Sequence, residues 1–228
     1  MKHIYLSTIM SFCISLPLLA AEADHYTQAN VALTDAAEIV NKTANMYLNQ
    51  GLEKLNSQSR CDSSLEKEQA LYKELQNYFA NHNHGLLVQE ILKGEPFPTK
   101  VIPKTESIYG HWKARDGFLL GRKGAEKSQL GLMPLIKIGS TNIGVDKLEH
   151  MFGMGFRYYK SHYLEEKPLY KTLKGGIFRE KTTLGGNPIA TGVFSYGDLS
   201  ANFNGMRFWN HILQKHDDIL GTAYNNGP

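Results

Sequence analysis

The sequence predicts a mostly α protein, a compact single-domain helical bundle with an irregular Gly- and aromatic-rich middle region. Three observations carry this. Apolar residues recur at spacings of three and four in six segments, the period of helices that bury one face. Gly, Pro, Ser, Asp and Asn bracket those segments, and these are the residues that start and stop helices. Finally, 42% of the 228 residues are hydrophobic, with 10 Phe and 12 Tyr among them, enough for one good-sized core.

Taken in order, residues 1–23 read as an export signal. Met1-Lys2-His3 is a short basic start, Ile4 to Leu18 is nearly free of charge, and Ala21-Glu22-Ala23 is an A-x-A pattern, so the expected cut follows Ala23. The apolar run is broken by Ser7, Thr8, Ser11 and Ser15 and is too short to cross a bilayer. Nothing downstream approaches the roughly 20 apolar residues of a spanning helix. The mature chain is therefore expected to be periplasmic or secreted, without a transmembrane segment. Of two cysteines, Cys13 leaves with the signal, so Cys61 has no intrachain partner and disulfides do not stabilise the fold.

Residues 24–94 should form an N-terminal helical layer. A first helix spans Ala29 to Leu55 with a break expected near Gly51, a second carries Leu65, Leu71, Leu75, Tyr78 and Phe79, and a short third runs from Gly85 to Lys93. Gly94, Pro96 and Pro98 stop it and open a loop. Residues 105–220 should form a motif-bearing helical core. Its beginning, Ser107 to Gly144, contains Tyr109, Trp112, Phe118 and many glycines, and its periodicity does not separate helix from strand. Helices return from Asp146 to Tyr163, from about Pro168 to Lys181, and from Tyr196 to about Gln214.

Charge and motifs exclude several functions. The net charge of +3, which survives loss of Lys2 and Glu22 with the signal, comes without a dominant Lys/Arg cluster, so no nucleic-acid footprint is present. A G-x-S-x-G elbow, a P-loop and a dinucleotide fingerprint are absent. His82, His84, His211, His216, Asp217 and Asp218 lack a tetrahedral ligand spacing, and the sequence assigns neither a metal nor a cofactor.

Two helices carry the candidate site. Along the first, Leu148, Met151, Phe152, Gly155, Phe156, Tyr159 and Tyr163 form an apolar stripe, while Asp146, His150, Gly153 and Arg157 form a polar line opposite it. Asp146 and Glu149 also fit a capping box. On the last helix, after a cap at Ser195, Asp198 and Asn202 share the apolar face with Gly205 and Trp209. A carboxylate and an amide directed inward need partners, because an unpaired buried carboxylate costs several kcal/mol. The candidates are Lys147, His150, Arg157 and Arg179, and Gly205 would let the facing helix approach closely. A polar centre shared by two helices follows, either as a reactive site or as a hydrogen-bond network that fixes helix register.

Asp146-Lys147-x-x-His150 followed by Asp198-x-x-x-Asn202-x-x-Gly205 resembles the VanZ-like superfamily, and within it the periplasmic YfiM-like branch. The resemblance covers roughly Gly144 to Trp209 and implies that Asp146, Lys147, His150, Asp198, Asn202 and Gly205 are the family positions, with Glu180 as the acidic residue between the two motifs. VanZ-like proteins typically span membranes several times, which this chain does not repeat, and the family is linked to glycopeptide resistance without a defined reaction.

Two functions compete. In the first, a periplasmic binding or assembly module meets an envelope lipid, a cell-wall component or an envelope protein, with Tyr109, Trp112 and Phe118 as a contact surface. In the second, an envelope enzyme acts on a lipid-linked or cell-wall anionic substrate. His150, Asp146, Asp198 and Glu180 then perform acid–base chemistry, and Lys147, Asn202, Arg157 and Arg179 bind. A closed, hydrogen-bonded cluster would favour the first, and a pocket beside His150 the second.

Overall fold

Asp35 sets the start of the first helix. Its Oδ1 accepts the N–H of Ala37 at 2.9 Å and also that of Gly139 at 2.9 Å, tying helix α1 (Ala37–Ser57) to the turn of a small sheet. The chain is described by a computed structural model over residues 22–23, 30–57, 65–80, 85–113, 116–117, 132–186 and 191–225. The first 21 residues of the expected signal over 1–23, together with Cys61, His82, His84 and Phe118, lie outside the described residues.

Helix α1 continues through Gly51 without the expected break. A Cβ at that position would stand 2.9 Å from Leu75, so glycine there admits a neighbour. That neighbour is α2 (Leu65–Phe79), which buries Leu71, Tyr72, Leu75 and Phe79. The short α3 (Leu86–Lys93) buries Leu87, Val88 and Ile91 and ends at Gly94, whose φ of 93° is open to glycine.

The middle region resolves into a feature the periodicity did not show. Strands β1 (Thr99–Lys100), β2 (Leu135–Ile138) and β3 (Thr141–Gly144) form an antiparallel sheet in the order β1-β2-β3, with Gly139 at φ 61° in the turn between the last two. Tyr109 is buried, its ring meeting Trp112 edge-on at 4.9 Å, so it is not part of an exposed contact surface.

Strand β3 runs directly into α4 (Val145–Glu149), which passes through a π-helical turn (His150–Met154) into α5 (Gly155–Tyr159) and a second such turn (Lys160–Leu164). Helices α6 (Leu169–Thr182) and α7 (Tyr196–Leu213) complete the mostly α fold. The core is aromatic. Trp209 packs against Phe156 at 5.0 Å and donates its indole N–H to the Phe152 carbonyl at 2.8 Å, while Phe79 meets Phe152 at 5.2 Å. Residues of α1 to α3 and of the last helices share this one buried cluster.

Two glycines set the distance between α5 and α7. A Cβ on Gly205 would lie 1.8 Å from the Met151 carbonyl oxygen, and one on Gly155 would lie 2.5 Å from the Gly205 Cα. The close approach expected of Gly205 is thus present, and it presses the two motif-carrying helices together.

Candidate functional site

The site forms where α4, α6 and the start of α7 converge. Helix α4 is capped by the Gly144 backbone with no side-chain cap, so the capping-box reading of Asp146 does not hold. Asp146 instead lies inside the first turn, 2% exposed, and gives its Oδ2 to the Lys147 ammonium at 2.6 Å. The polar line of this helix does not simply face water. Asp146 and His150 are buried because α7 and the chain at Glu22 cover them, while Arg157, farther along, is exposed.

Lys147 is the hub. Its Nζ reaches Asp198 Oδ1 at 2.5 Å, Glu22 Oε1 at 2.6 Å and Ser195 Oγ at 3.3 Å in addition to Asp146. Glu22, which a cut after Ala23 would remove, is buried in this cluster. Ser195 does three things at once. It caps α7 by accepting the Asp198 N–H at 3.2 Å, it contacts Lys147, and its own N–H donates to Glu180 Oε1 at 3.3 Å.

The second oxygen of Asp198 faces His150 Nε2 at 3.2 Å, and the other ring nitrogen donates to Asn202 Oδ1 at 3.1 Å. Glu180 is 0% exposed, and its Oε2 has no hydrogen-bond partner among the described residues. The structure therefore brings together Asp146, Lys147, His150, Glu180, Asp198 and Asn202. It does not bring Arg157 and Arg179 to Asp198: both line a separate pocket, together with Tyr158.

Burial governs the electrostatics. It pushes the Glu22 carboxyl up to about 7, with Lys147 opposing and Asp198 and Asp146 adding to the rise. Asp146 is pushed up to about 6 by burial, again against Lys147 and with Asp198. Glu180 rises to about 7 through burial and then Asp198, with His150 and the Ser195 N–H pulling it down. Burial also works against the charge of Lys147, but Asp146, Asp198 and Glu22 outweigh it and hold its pKa above the usual lysine range.

Two clefts flank the centre. One of about 370 Å³ is lined by Thr141, Leu148, Met151, Gly197 and Ala201 and reaches the stem of Lys147. The other, about 210 Å³, lies between α5 and α6, and its charged lining residues are Arg157, Lys167, Lys171 and Arg179. Tyr158 forms the wall between this basic pocket and the buried centre, with the Asn202 amide interacting with its hydroxyl. Gly176 makes room for that hydroxyl, since a Cβ there would fall 1.5 Å from it. Neither cleft opens on His150.

Sequence reasoning missed Glu22, Ser195 as more than a cap, and Tyr158. Glu22 sits inside a leader pattern, and Tyr158 carries no signal distinct from its aromatic neighbours. Compared with protein-family models, curated proteins and solved structures, the chain shows no significant match.

Proposed function

We propose that this is an exported envelope binding module that docks through α6 on an anionic, phosphate-bearing lipid surface. The observation that carries the reading is the basic pocket: Arg157, Lys167, Lys171 and Arg179 converge on it with no acidic side chain in its lining, and of these four Glu165 engages Lys167, at 2.7 Å, its other partner being Lys160 outside the pocket. Guanidinium and ammonium groups gathered on one concave surface suit phosphate oxygens. The outer face of α6 adds Tyr170, Ile177 and Phe178, exposed by 64%, 38% and 65%, beside Lys171 and Lys174. Aromatic side chains interleaved with cations suit the interfacial layer of an anionic membrane. No helix of the described residues is long and apolar enough to cross a membrane, so docking is peripheral on this reading. The burial of His150 also favours a binding role, because neither of the two clefts formed by the described residues is lined by that ring. The VanZ-like resemblance is part of the same proposal, as is export, with processing on the N-terminal side of Glu22 so that the buried carboxylate is kept.

Co-sedimentation with vesicles tests the reading. Vesicles of phosphatidylglycerol in phosphatidylcholine should carry the protein down and pure phosphatidylcholine should not, with retention falling as salt rises. An Arg157→Gln/Arg179→Gln double variant should lose most of the retention while keeping its melting temperature. Equal retention on both vesicle types, or none on either, overturns it.

A second reading, an envelope enzyme, draws on the contact between His150 and Asp198, the pairing that acid–base chemistry would use. A folded His150→Asn variant that retains full biological activity would exclude it.

A further inference from the structure

We propose that His150, Glu180 and Asp198 form a divalent-cation site of the zinc class, independent of lipid docking. The buried centre contains two triads that share Asp198, and the donor atoms within each lie within 4.8 Å of one another. The chain fills one of them itself: the Lys147 ammonium stands between Glu22, Asp146 and Asp198 at 2.6, 2.6 and 2.5 Å. In the other, Lys147 engages the shared Asp198 through Oδ1 and leaves Oδ2 facing His150.

Three features of that second triad point to a cation. Glu180 Oε2 is buried without a hydrogen-bond partner among the described residues, which is costly for a carboxylate oxygen unless something positive meets it. The His150 ring donates from Nδ1 to the Asn202 carbonyl oxygen, so in its neutral form Nε2 presents a lone pair to Asp198 Oδ2 at 3.2 Å. Two acceptors at that separation must share either a proton or a metal cation, and a cation would meet Glu180 Oε2 at the same time. The spacing is also that of a ligand edge, since bonds of about 2.0–2.1 Å in a tetrahedral zinc site place adjacent donors about 3.3 Å apart.

The surroundings agree. Asn202 serves as the outer partner that fixes the ring orientation of a ligating histidine. One imidazole nitrogen with two carboxylate oxygens suits a borderline divalent transition ion better than Ca²⁺, which takes six to eight oxygens. The composition of the centre agrees as well: four carboxyl groups, Glu22, Asp146, Glu180 and Asp198, are buried beside one ammonium, so a divalent cation has acidic groups to meet there. Spacing in the sequence does not disclose this site because the three residues come from three separate helical segments.

The test uses the purified full-length chain after exhaustive chelation. Titration with Zn²⁺ alone, followed by calorimetry, should give one equivalent bound and a raised melting temperature. Co²⁺ should give visible d–d absorption of a site with nitrogen and oxygen donors. The near-isosteric variants Glu180→Gln and Asp198→Asn, checked for folding by circular dichroism, should bind Zn²⁺ at least tenfold more weakly, whereas His211→Gln on α7 should bind like the parent. Absence of stoichiometric Zn²⁺ binding and of the Co²⁺ spectrum in the parent chain overturns the proposal, whatever the variants do. So does Zn²⁺ binding that is undiminished in both folded variants, because it would place the ion elsewhere.

Discussion

Lys147 places one ammonium among Glu22, Asp146 and Asp198, each contact at 2.6 Å or less, with all four residues buried. Replacing a whole buried ion cluster by apolar groups is often neutral, but removing only the cation leaves like charges facing one another. Lys147→Met should therefore lower the unfolding free energy by about 3–5 kcal/mol, read as a lower urea midpoint at pH 7 with an unchanged slope. A loss below about 1 kcal/mol would mean that the carboxylates are already neutral in the fold. At this scale the sequence was informative where polar residues interrupted an apolar helix face. Asp198 and Asn202 could not point inward without partners, and Lys147 and His150 are indeed those partners. It was uninformative where a residue wore two patterns. Asp146 matched a cap and Glu22 matched a leader, yet both carboxylates are held by Lys147.

The helices themselves were legible because each buries one stripe, and their observed bounds fall within a few residues of the expected ones except at the start of α1. The sheet was not legible: its strands have two to four residues, too short for alternation to register, and β2 buries Leu135 and Ile136 in succession instead of alternating. The π-helical turn at His150–Met154 left no trace in the composition either, although it carries the Phe152 carbonyl that accepts the Trp209 indole. What the sequence did disclose was the glycine contact between α5 and α7. Gly205→Ala would drive a methyl into the Met151 carbonyl, a backbone atom that no rotamer change relieves, and should cost about 3 kcal/mol or more. Gly153→Ala is the matched control. Nothing lies within 4 Å of a Cβ there, so it should be neutral or stabilise by up to about 1 kcal/mol. Thermal melts of the two variants compare them directly, and equal shifts would refute the tight helix contact.

For the whole molecule, the two kinds of perturbed carboxylate divide the pH scale between them. Asp35, whose pKa is lowered by the Ala37 and Gly139 N–H groups, Glu165, lowered by Lys167, and Asp218, where burial is outweighed by the Leu220 N–H and Arg207, bind protons less readily folded than unfolded. Their contributions are present above about pH 4 and disappear as pH falls through the lowered values. Glu22 and Asp146 have the opposite sign. Raised from 4.5 to about 7 and from 3.8 to about 6, they hold protons in the folded chain that the unfolded chain has released, so between about pH 4 and 7 stability decreases as pH rises. The two effects meet near pH 4 to 5, lower than the neutral optimum of a protein whose carboxylates are all paired at its surface. In chelator-containing buffer, urea midpoints should pass through a maximum in that range and fall by an amount on the order of a few kcal/mol by pH 7.5. A Glu22→Gln variant, with no proton to lose, should flatten the descending limb. A parent profile that rises steadily from pH 4 to 7.5 would show that the acidic centre remains fully ionised at its ordinary pKa values, and burial would then not be what governs it.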